Sequence, residues 1–450
     1  MKKYDIVIIG GGPAGLTCAI SAKNTYPDKK IVLIRKESKP MIPCGIPYTL
    51  TTLKNVDDNI LPDTPLIAND VEIINDEAIN RTDHVIQLKS GEEIKFDKLV
   101  LAAGSKAVLP NIEGADKENI FLVKKDRDYL ENLKAKIQKS QKIVILGGGY
   151  IGIEVADELL KANRDVTLVE MMDTLLPTMD DEFGKKVKEI IESNKGKVIT
   201  GKSIKKILGN DKVTGVELND GTQIFCDLLI ISCGYKPNVE LAEKFNLVFE
   251  PGKGILVDDY LRTSEKDVFA IGDCAAKYDY FTGEFSNVML ASTAMAEGRL
   301  VGSNLFSIKV IRKYQGVLGT FSTKIGNTAF AVSGINERRA KERGLEYTVG
   351  MAKAVDRHPG KLPGASEVTV KLIFSTYSHT ILGAQIMGGD SIGEMINMLS
   401  VMILNKMTDM DIDTLQIGTH PLLTASPVVY PVITATVDAI KKWYKYQPVN

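Results

Sequence analysis

The chain has 450 residues, of which 56 are Lys or Arg and 57 are Asp or Glu, so that its formal net charge is −1. A charge this close to zero gives no overall field that would draw the chain to nucleic acid or to an anionic membrane. Charged residues make up 25% and hydrophobic residues 44% of the chain. This balance is typical of globular proteins and excludes disorder, collagen and coiled coil as descriptions of the whole chain. The length predicts roughly two to four domains.

No apolar run approaches the ~20 residues that a membrane helix needs. The charged start at Lys2 and Lys3 is followed by an apolar run that ends at Gly10, which is too short for a signal peptide. Five cysteines are too few for a disulfide framework, and none stands in a CxxC pair, so we expect no structural zinc site. These features favour a location in the reducing cytoplasm.

Six short runs rich in Val and Ile are apolar on both faces, which is typical of buried parallel strands. Periodic segments at 14–24 and 151–162 predict helices. Strand, glycine turn, helix and strand together form a βαβ unit, and this unit occurs twice, at 4–34 and 142–170. The six runs are residues 5–9, 31–34, 99–102, 143–146, 166–169 and 228–232.

Alternating patterns predict hairpins at 85–96 and 211–225, around the turn sequences SG and DG. After about residue 321 the pattern changes to two antiparallel strands, 368–374 and 381–386, followed by helical stretches at 391–406 and 428–446. The sequence therefore predicts an α/β fold with two Rossmann-like dinucleotide-binding domains and a C-terminal α+β domain.

Two glycine fingerprints of the form G-x-G-x-x-G each follow a predicted strand and open a predicted helix. In this motif the first glycine allows the tight turn, the second lets a pyrophosphate approach, and the third lets the helix pack against the sheet. The helix N-terminus then faces the phosphates. Two copies predict two dinucleotides. The expected contact residues are Gly10, Gly12, Pro13, Ala14 and Gly15 in the first copy, and Gly147, Gly149, Tyr150, Ile151 and Gly152 in the second.

A carboxylate about 20 residues beyond such a fingerprint binds the ribose 2′-hydroxyl and repels a 2′-phosphate. Glu170 ends the strand after the second fingerprint, and no Arg follows it closely. We therefore expect NADH rather than NADPH there. After the first fingerprint the strand ends at Arg35 instead. Either Glu37 takes the ribose role or Arg35 is a solvated surface charge, and the sequence leaves this open.

Three further segments point to one family: LVLAAG at 99–104, CGYKPN at 233–238, and 263–273, which ends in VFAIGD. With the fingerprints they resemble the flavin-dependent pyridine nucleotide–disulfide oxidoreductases over nearly the whole chain, although the family's usual ATG is AAG here. The resemblance implies FAD on the first fingerprint and NADH on the second. It implies Ala103, Gly104, Gly272 and Asp273 at the FAD site, Gly234 at the end of the NAD domain, and Glu154 near the nicotinamide.

The same resemblance implies a split FAD domain at 1–115 and 250–325, with an NAD domain at 116–249 between its parts. Residues 326–450 then resemble the interface domain through which family members form homodimers. In the resemblance Asp273 holds the ribityl chain of FAD. For Glu154 the alternative is an exposed helix residue without a role in the site.

One cysteine, Cys44 in the segment PCGIPY, stands where two-cysteine members carry C-x4-C. This resembles the single-cysteine branch of NADH oxidases, NADH peroxidases, coenzyme A disulfide reductases and polysulfide reductases, in which a sulfur beside the flavin cycles between a thiolate and a sulfenic acid or mixed disulfide. The thiolate is the nucleophile, and we expect Cys44 to gain from the start of a helix. We expect the other four, Cys18, Cys226, Cys233 and Cys274, to be packing residues.

His420, in the segment THPL, resembles the catalytic His-Pro of two-cysteine reductases, where the histidine exchanges a proton with the leaving thiol. The alternative is a chance occurrence of His before Pro. The coenzyme A disulfide reductases carry a Tyr-Ala-Pro-Pro segment in this region, which the chain lacks. Arg357 and Lys361 lie in a basic loop that either meets phosphates or is solvated.

These features predict a homodimeric flavoprotein that passes electrons from NADH through FAD to Cys44. The acceptor is then a small disulfide, persulfide or polysulfide. One alternative is an NADH oxidase or peroxidase that reduces oxygen or peroxide through a Cys44 sulfenic acid. An alternative from another class is a redox sensor or an electron-transfer component for a protein partner.

Overall fold

The computed structural model describes residues 1–313 and 316–446. The chain divides into two compact units. Unit 1 comprises Met1–Leu146, Lys161–Arg164 and Ile204–Val317, and unit 2 comprises Gly147–Leu160, Asp165–Ser203 and the chain from Leu318 onward. Within the described ranges, no helix has the length and apolar character needed to cross a bilayer.

Unit 1 contains 19 strands and five helices within its described residues. Its strands are β1 (Lys2–Ile9), β2 (Ile31–Arg35), β3 (Glu72–Asn75), β4 (Ala78–Thr82), β5 (Val85–Leu88), β6 (Glu93–Leu101), β7 (Ser105–Ala107), β8 (Ile120–Leu122), β9 (Lys142–Leu146), β12 (Ile204–Leu208), β13 (Gly215–Leu218), β14 (Gln223–Phe225), β15 (Leu228–Ile231), β16 (Tyr235–Pro237), β17 (Phe249–Glu250), β18 (Gly254–Ile255), β19 (Val268–Ala270), β20 (Lys277–Tyr278) and β21 (Phe285–Ser286). Its helices are α1 (Pro13–Thr25), α2 (Thr64–Ile67), α3 (Arg127–Lys139), α6 (Glu240–Lys244) and α7 (Ala291–Asn304).

The main sheet of unit 1 has the order β3-β2-β1-β6-β5-β4, with β19 also paired to β6. Strands β1, β2, β3, β6 and β19 run parallel, whereas β4 and β5 form the antiparallel hairpin. The central strands are buried on both faces, as their continuous Val and Ile runs predict. Because parallel strands place their carboxyl ends at one edge, the glycine turn after β1 and the segments after β6 and β19 meet there.

Helices α1 and α7 pack closely because α7 carries glycines at the contact. A Cβ at Gly298 would lie 2.7 Å from the Ala14 carbonyl oxygen, and one at Gly302 would lie 2.7 Å from the Cys18 carbonyl oxygen. Larger side chains at these positions would push α7 away from α1. The close approach fixes α1 and the turn that precedes it.

Unit 2 contains seven strands and six helices within its described residues. Its strands are β10 (Asp165–Val169), β11 (Lys197–Ile199), β22 (Thr320–Ile325), β23 (Thr328–Gly334), β24 (Tyr347–Val355), β25 (Glu367–Ser375) and β26 (Ile381–Gly388). Its helices are α4 (Tyr150–Lys161, of which the last residue falls in unit 1), α5 (Asp181–Ser193), α8 (Glu337–Glu342), α9 (Ile392–Leu404), α10 (Asp409–Asp413) and α11 (Pro431–Tyr446).

Strands β22 to β26 form an antiparallel sheet in the order β22-β23-β26-β25-β24. Lys371 on β25 is buried, and its ammonium lies 2.9 Å from Asp180, 2.5 Å from Glu182 and 2.5 Å from Glu337. The Gln385 amide donates to the Asp180 carboxylate over 2.6 Å. The carboxylates thus surround an ammonium that balances part of their charge, which is the condition for burying such groups.

The sequence located most of these elements correctly. All six apolar runs are strands, both fingerprints lead into helices, and both hairpins form. Two boundaries were wrong. The first strand of the second hairpin begins at Gly215 rather than near residue 211. The last helix begins at Pro431, after a separate 3-10 turn at Pro427–Val429, because proline cannot supply the N–H that would continue that turn into the helix.

Candidate functional site: two dinucleotide cradles and an exposed cysteine turn

The first glycine fingerprint forms a tight turn with one open side. Gly10 has φ +122°, and a Cβ there would collide with the Ala102 carbonyl oxygen. A Cβ at Gly15 would collide with the Gly10 carbonyl oxygen. At Gly12, by contrast, no atom of the described residues lies within 4 Å of the Cβ position. The middle glycine therefore leaves room for a pyrophosphate, and the first turn of α1 carries no acidic residue that would repel it.

Gly272 and Asp273 meet this turn. Gly272 has φ +70°, and a Cβ there would lie 2.9 Å from the Cβ of Ala14. Its N–H donates to Glu297 over 2.8 Å, and Glu297 pairs with Lys277 over 3.1 Å. Glu297 and Lys277 are both buried. This buried pair fixes the backbone on which Asp273 stands.

The Asp273 carboxylate has two partners that the sequence did not single out. The Ser105 hydroxyl donates to Oδ2 of Asp273 over 2.7 Å, and the Lys125 ammonium lies 3.3 Å from the same oxygen. Lys125 also donates to the Ser105 hydroxyl over 3.0 Å. Ser105 and Lys125 together hold the carboxylate in one orientation, as expected of a group that binds polyol hydroxyls.

Ala103, Gly104 and Gly234 lie next to this group. Strands β7 and β16 pair antiparallel directly after Gly104 and Gly234. Both glycines have positive φ, +69° and +93°, so the two chain segments turn sharply at the point where they meet. Asn238 donates to the Gly104 carbonyl oxygen over 2.9 Å. The structure thus brings Ala103, Gly104, Gly234, Gly272 and Asp273 together with the first fingerprint.

Arg35 is not a solvated surface charge, and that alternative was wrong. Its side chain is only 2% exposed, and its guanidinium lies 2.6 Å from both carboxylate oxygens of Asp63. The aliphatic part of Arg35 packs on the glycine turn, because a Cβ at Gly11 would lie 2.5 Å from Cδ of Arg35. Glu37 is half-buried.

Cys44 is exposed and lies in a three-residue 3-10 turn, Pro43–Gly45, which is followed by a second 3-10 turn, Pro47–Leu50. The expected start of an α-helix is therefore wrong here. Buried Asn59 clamps the turn. Its backbone accepts from the Ile42 N–H over 2.9 Å, and its side-chain amide donates to the Ile42 carbonyl over 2.9 Å. A Cβ at Gly45 would collide with Oδ1 of Asn59.

Three of the other four cysteines are buried, unlike Cys44. All five cysteines lie in the described residues and form no disulfide with one another. Burial raises the pKa of Cys18 to about 12 and that of Cys226 to about 12, and it also raises the pKa of Cys274. Cys233, which we expected to be a packing residue, is exposed. It lies beyond the end of β15, where the chain leaves the sheet, so that prediction was wrong.

The second fingerprint repeats the design of the first. Gly147 has φ +108°, and no described atom lies within 4 Å of a Cβ at Gly149. Glu170 is buried, and its two carboxylate oxygens accept from the Gly148 N–H over 2.5 Å and the Met172 N–H over 2.7 Å. The acid at the end of β10 is thus fixed against the glycine turn by two charge-assisted hydrogen bonds.

One face of α4 packs on β22 at i, i+4, i+7 spacing. The ring of Tyr150 stacks on that of Phe321, with 5.0 Å between the ring centroids. The Thr323 hydroxyl donates to Glu154 over 2.7 Å. Asp157 accepts from the Gly326 N–H over 3.0 Å. Burial, with the neighbouring Asp157, raises the pKa of Glu154 to about 7, and the bond from Thr323 opposes this rise. Glu154 is half-buried, so its alternative as an exposed helix residue was wrong.

His420 lies in an exposed loop of unit 2. Its Nδ1 accepts from the Leu422 N–H over 3.2 Å. A second loop is bonded to this one. The His358 N–H donates to the Pro421 carbonyl over 3.1 Å, and Nδ1 of His358 donates to the Thr424 carbonyl over 3.0 Å. The basic loop that contains Arg357 therefore adjoins the His420 loop.

The sequence missed the residues that support these groups. Four supporting residues belong to no motif and lie far along the chain from the groups that they contact. They are Ser105, Lys125, Asn59 and Thr323. For Asn59 the only signal is Gly45, whose lack of a side chain allows the contact. The sequence carries no comparable signal for the others.

Known proteins match this chain along its length. The family described as Pyridine nucleotide-disulphide oxidoreductase matches residues 4–298, and its dimerisation domain matches residues 320–429. A protein named NADH oxidase from Methanocaldococcus jannaschii is 31% identical, over 97% of this chain and 98% of its own length. A protein named NAD(P)H coenzyme A polysulfide/persulfide reductase from Pyrococcus horikoshii is 30% identical, over 87% of this chain and 88% of its own.

The solved structures agree. A structure described as an NAD-dependent persulfide reductase from A. fulgidus has a TM-score of 0.89 and 29% identity, and the match covers 98% of this chain and 84% of that one. The two glycine turns, each left open at its middle glycine, fit the FAD and NAD(H) that the family uses. The chain is an oxidoreductase that belongs to the pyridine nucleotide–disulphide oxidoreductase family.

Proposed function

We propose that this chain is an NADH-dependent reductase of small disulfides, persulfides or polysulfides of the coenzyme A type, with Cys44 as its redox-active sulfur. The observation that carries the proposal is the Cys44 turn. Asn59 fixes it, whereas Cys18, Cys226 and Cys274 are buried thiols. The names of the relatives from P. horikoshii and A. fulgidus support a sulfur acceptor.

Gly12 and Asp273 hold FAD in this proposal, and FAD supplies two-electron chemistry between NADH and sulfur. The Cys44 thiolate attacks one sulfur of the substrate disulfide, so that a new S–S bond forms, the old one breaks, and one thiolate leaves. A pair of electrons then breaks the mixed disulfide, which returns Cys44 as thiolate and releases the second thiolate. His420 is the proposed acid–base group: its imidazolium form donates a proton to a leaving thiolate and returns to neutral imidazole.

The proposal assigns FAD to residues 1–115 and 250–325, NADH to 116–249 and the interface to 326–450. The match of the dimerisation domain at 320–429 supports assembly of the chain as a homodimer. His420 belongs to this part of the chain, so we propose that it acts at a site shared by two copies. The absence of disulfides among the five cysteines supports a cytoplasmic location.

The proposed preference for NADH over NADPH rests on Glu170. Its carboxylate is buried and held by two backbone N–H groups beside the second glycine turn. A fixed negative charge at the adenosine ribose attracts the 2′-hydroxyl and repels a 2′-phosphate. Glu170→Gln is expected to reduce the discrimination against NADPH.

A second candidate is an NADH oxidase or peroxidase, which the name of the M. jannaschii relative favours. Here the Cys44 thiolate takes one oxygen atom from peroxide, giving a sulfenic acid and water after protonation. Two electrons and a proton then return the thiolate and a second water. In both candidates the exposed sulfur of Cys44 is the reacting atom.

Anaerobic NADH oxidation with coenzyme A disulfide as the acceptor tests the first candidate. We expect wild-type protein to turn over the disulfide, Cys44→Ser to lose at least a hundredfold of this activity, and Cys233→Ser, the other exposed cysteine, to keep it. Fast oxygen or peroxide reduction with no disulfide turnover would favour the second candidate. No fast small-molecule acceptor at all would favour electron transfer to a protein partner.

A further inference from the structure

The adenosine end of the first cradle lacks its usual acid. The motif places a carboxylate at the end of β2 to accept hydrogen bonds from ribose hydroxyls, but this chain places Arg35 there. An unpaired guanidinium at this point would suit a 2′-phosphate, which FAD does not have. The structure resolves this conflict through a residue outside the motif.

The charge of Arg35 is fully committed within the protein. The guanidinium makes a bidentate pair with Asp63, with both N···O distances 2.6 Å, and also donates to the Asn75 side chain and the Ser38 carbonyl over 3.3 Å. Its side chain is 2% exposed. Four of the five N–H donors of this buried guanidinium are thus occupied, and the Asp63 carboxylate compensates its charge, which disfavours the binding of a ligand phosphate.

Asp63 has spare acceptor capacity on its accessible side. Its side chain is 34% exposed, and each carboxylate oxygen accepts one bond from Arg35, which leaves a lone pair on each. Asp63 precedes α2 but makes no side-chain cap bond to that helix. The vicinal hydroxyls of a ribose are donors that match two such oxygens.

Arg35 also sets the position of this carboxylate. Because the Arg35 side chain packs on Gly11, the Arg35–Asp63 pair lies beside the glycine turn. Glu37, the other acid at this end of β2, makes no hydrogen bond or ion pair within the described residues. An acid fixed by two short bonds is pre-organised for a ligand, whereas an unfixed acid must first be ordered.

We propose that Asp63, positioned by Arg35, supplies the carboxylate that binds the adenosine ribose hydroxyls of FAD. The ion pair replaces the single acid of the motif and keeps the net charge at this point near zero. Asp63 is then a cofactor-binding residue and Arg35 a positioning residue. This inference does not rest on the acceptor chemistry of Cys44.

The test compares FAD with its analogue that carries 2′-deoxyadenosine, in full-chain protein reconstituted with either flavin. The readout is the rate of flavin release, followed by the rise in flavin fluorescence. A hydrogen bond between a hydroxyl and a carboxylate corresponds to about a tenfold to hundredfold change in affinity. We expect wild-type protein to release the analogue at least about tenfold faster than FAD.

Asp63→Asn leaves a buried guanidinium without its counter-ion and can therefore impair folding. The double variant Arg35→Met/Asp63→Leu removes both charges and serves as the second test. In it, FAD and the analogue should be released at the same rate. The charge-swapped variant Arg35→Glu/Asp63→Arg should restore the discrimination, because it returns the acid to the end of β2.

Glu37→Gln is the matched control and should keep the wild-type preference for FAD. The proposal is overturned if the apolar double variant still discriminates as wild type does, or if Glu37→Gln loses the discrimination instead. Both outcomes concern flavin release alone, so they leave the proposed reductase function to its own test.

Discussion

The hydroxyl of Thr323 on β22 donates to Oε1 of Glu154 on α4 over 2.7 Å. The strand belongs to the matched dimerisation domain and the helix begins at the second glycine fingerprint. Because burial raises the pKa of Glu154 to about 7, this side chain changes charge near neutral pH. The hydrogen bond from Thr323 therefore acts on a group that titrates near neutral pH.

We predict that binding of NAD⁺ to the oxidised holoenzyme strengthens between pH 6 and pH 8. The family resemblance implies that Glu154 lies near the nicotinamide. Below its raised pKa the side chain is then neutral, and above it the carboxylate attracts the positive ring, which strengthens binding by up to about fivefold. Thr323→Val removes a donor that stabilises the carboxylate, so the inflection should move to higher pH. Titration of NAD⁺ binding by flavin absorbance across this pH range measures both effects.

The controls for this prediction are Thr323→Ser and Glu154→Gln. The serine keeps a hydroxyl at the same place and should keep the wild-type inflection. The glutamine cannot ionise and should give a flat profile. If the inflection persists in Glu154→Gln, another group titrates and Glu154 does not face the nicotinamide.

Alkylation of the native protein should divide its cysteines into two classes. Cys44 and Cys233 are exposed, whereas burial raises the pKa of Cys18 and Cys226 to about 12 and also raises that of Cys274. Thiols with such values are almost wholly protonated at pH 7.5, and the thiolate is the reacting form. Iodoacetamide labelling followed by peptide mass spectrometry should modify the two exposed cysteines and spare the three buried ones until urea is added. Rapid labelling of Cys274 in native protein would contradict the described packing.

The Cys44 turn should show strong coupling between Gly45 and Asn59. Gly45→Ala places a methyl group where Oδ1 of Asn59 lies, and we expect it to cost about 1–3 kcal/mol of stability by overpacking. Asn59→Ala removes the clamp to Ile42. In Gly45→Ala/Asn59→Ala the clash is gone, so the total loss should be smaller than the sum of the two single losses. Urea unfolding of all four proteins measures this difference, and strict additivity would mean that the two residues do not touch.

Lys371 should be among the most sensitive charged positions of unit 2. Lys371→Ala leaves Asp180 and two glutamates without their shared cation, and removal of one member of a buried charge network costs about 3–5 kcal/mol. Glu182→Gln removes the most exposed partner, at 40% exposure, and should cost about 1 kcal/mol or less. Thermal unfolding should therefore separate the two variants by several degrees. Equal midpoints would argue that the network contributes little to stability.

The sequence located the parts of this fold whose signals are local. Apolar runs predict β1, β2 and β15 because parallel strands are buried on both faces, and the two fingerprints predict α1 and α4 because only glycine fits the turns. The sequence could not place Thr323 against Glu154 or Ser105 against Asp273. These contacts are made by residues far apart in the chain, and neither partner carries a pattern of its own.

Two errors arose because the tertiary structure sets the environment of a side chain, and a third concerns the local conformation of a turn. Arg35 was open to interpretation as a surface charge, yet Asp63 gives it a partner that allows burial. Cys233 was expected to pack, yet the chain turns away from the sheet beside it at Gly234. The turn at Cys44 was expected to begin an α-helix, but Pro47 starts a second short turn instead.

The central claim, that Cys44 is the sulfur that cycles during turnover, is tested most directly by the intact mass of the protein purified without reductant. Peptide mapping should locate any adduct. We predict an adduct of the mass of coenzyme A or another small thiol on Cys44, absent from Cys44→Ser and unchanged in Cys233→Ser. A single added oxygen on Cys44 would favour the oxidase or peroxidase. An adduct confined to Cys233, or a Cys44→Ser protein that still reduces disulfides at the wild-type rate, would contradict the account.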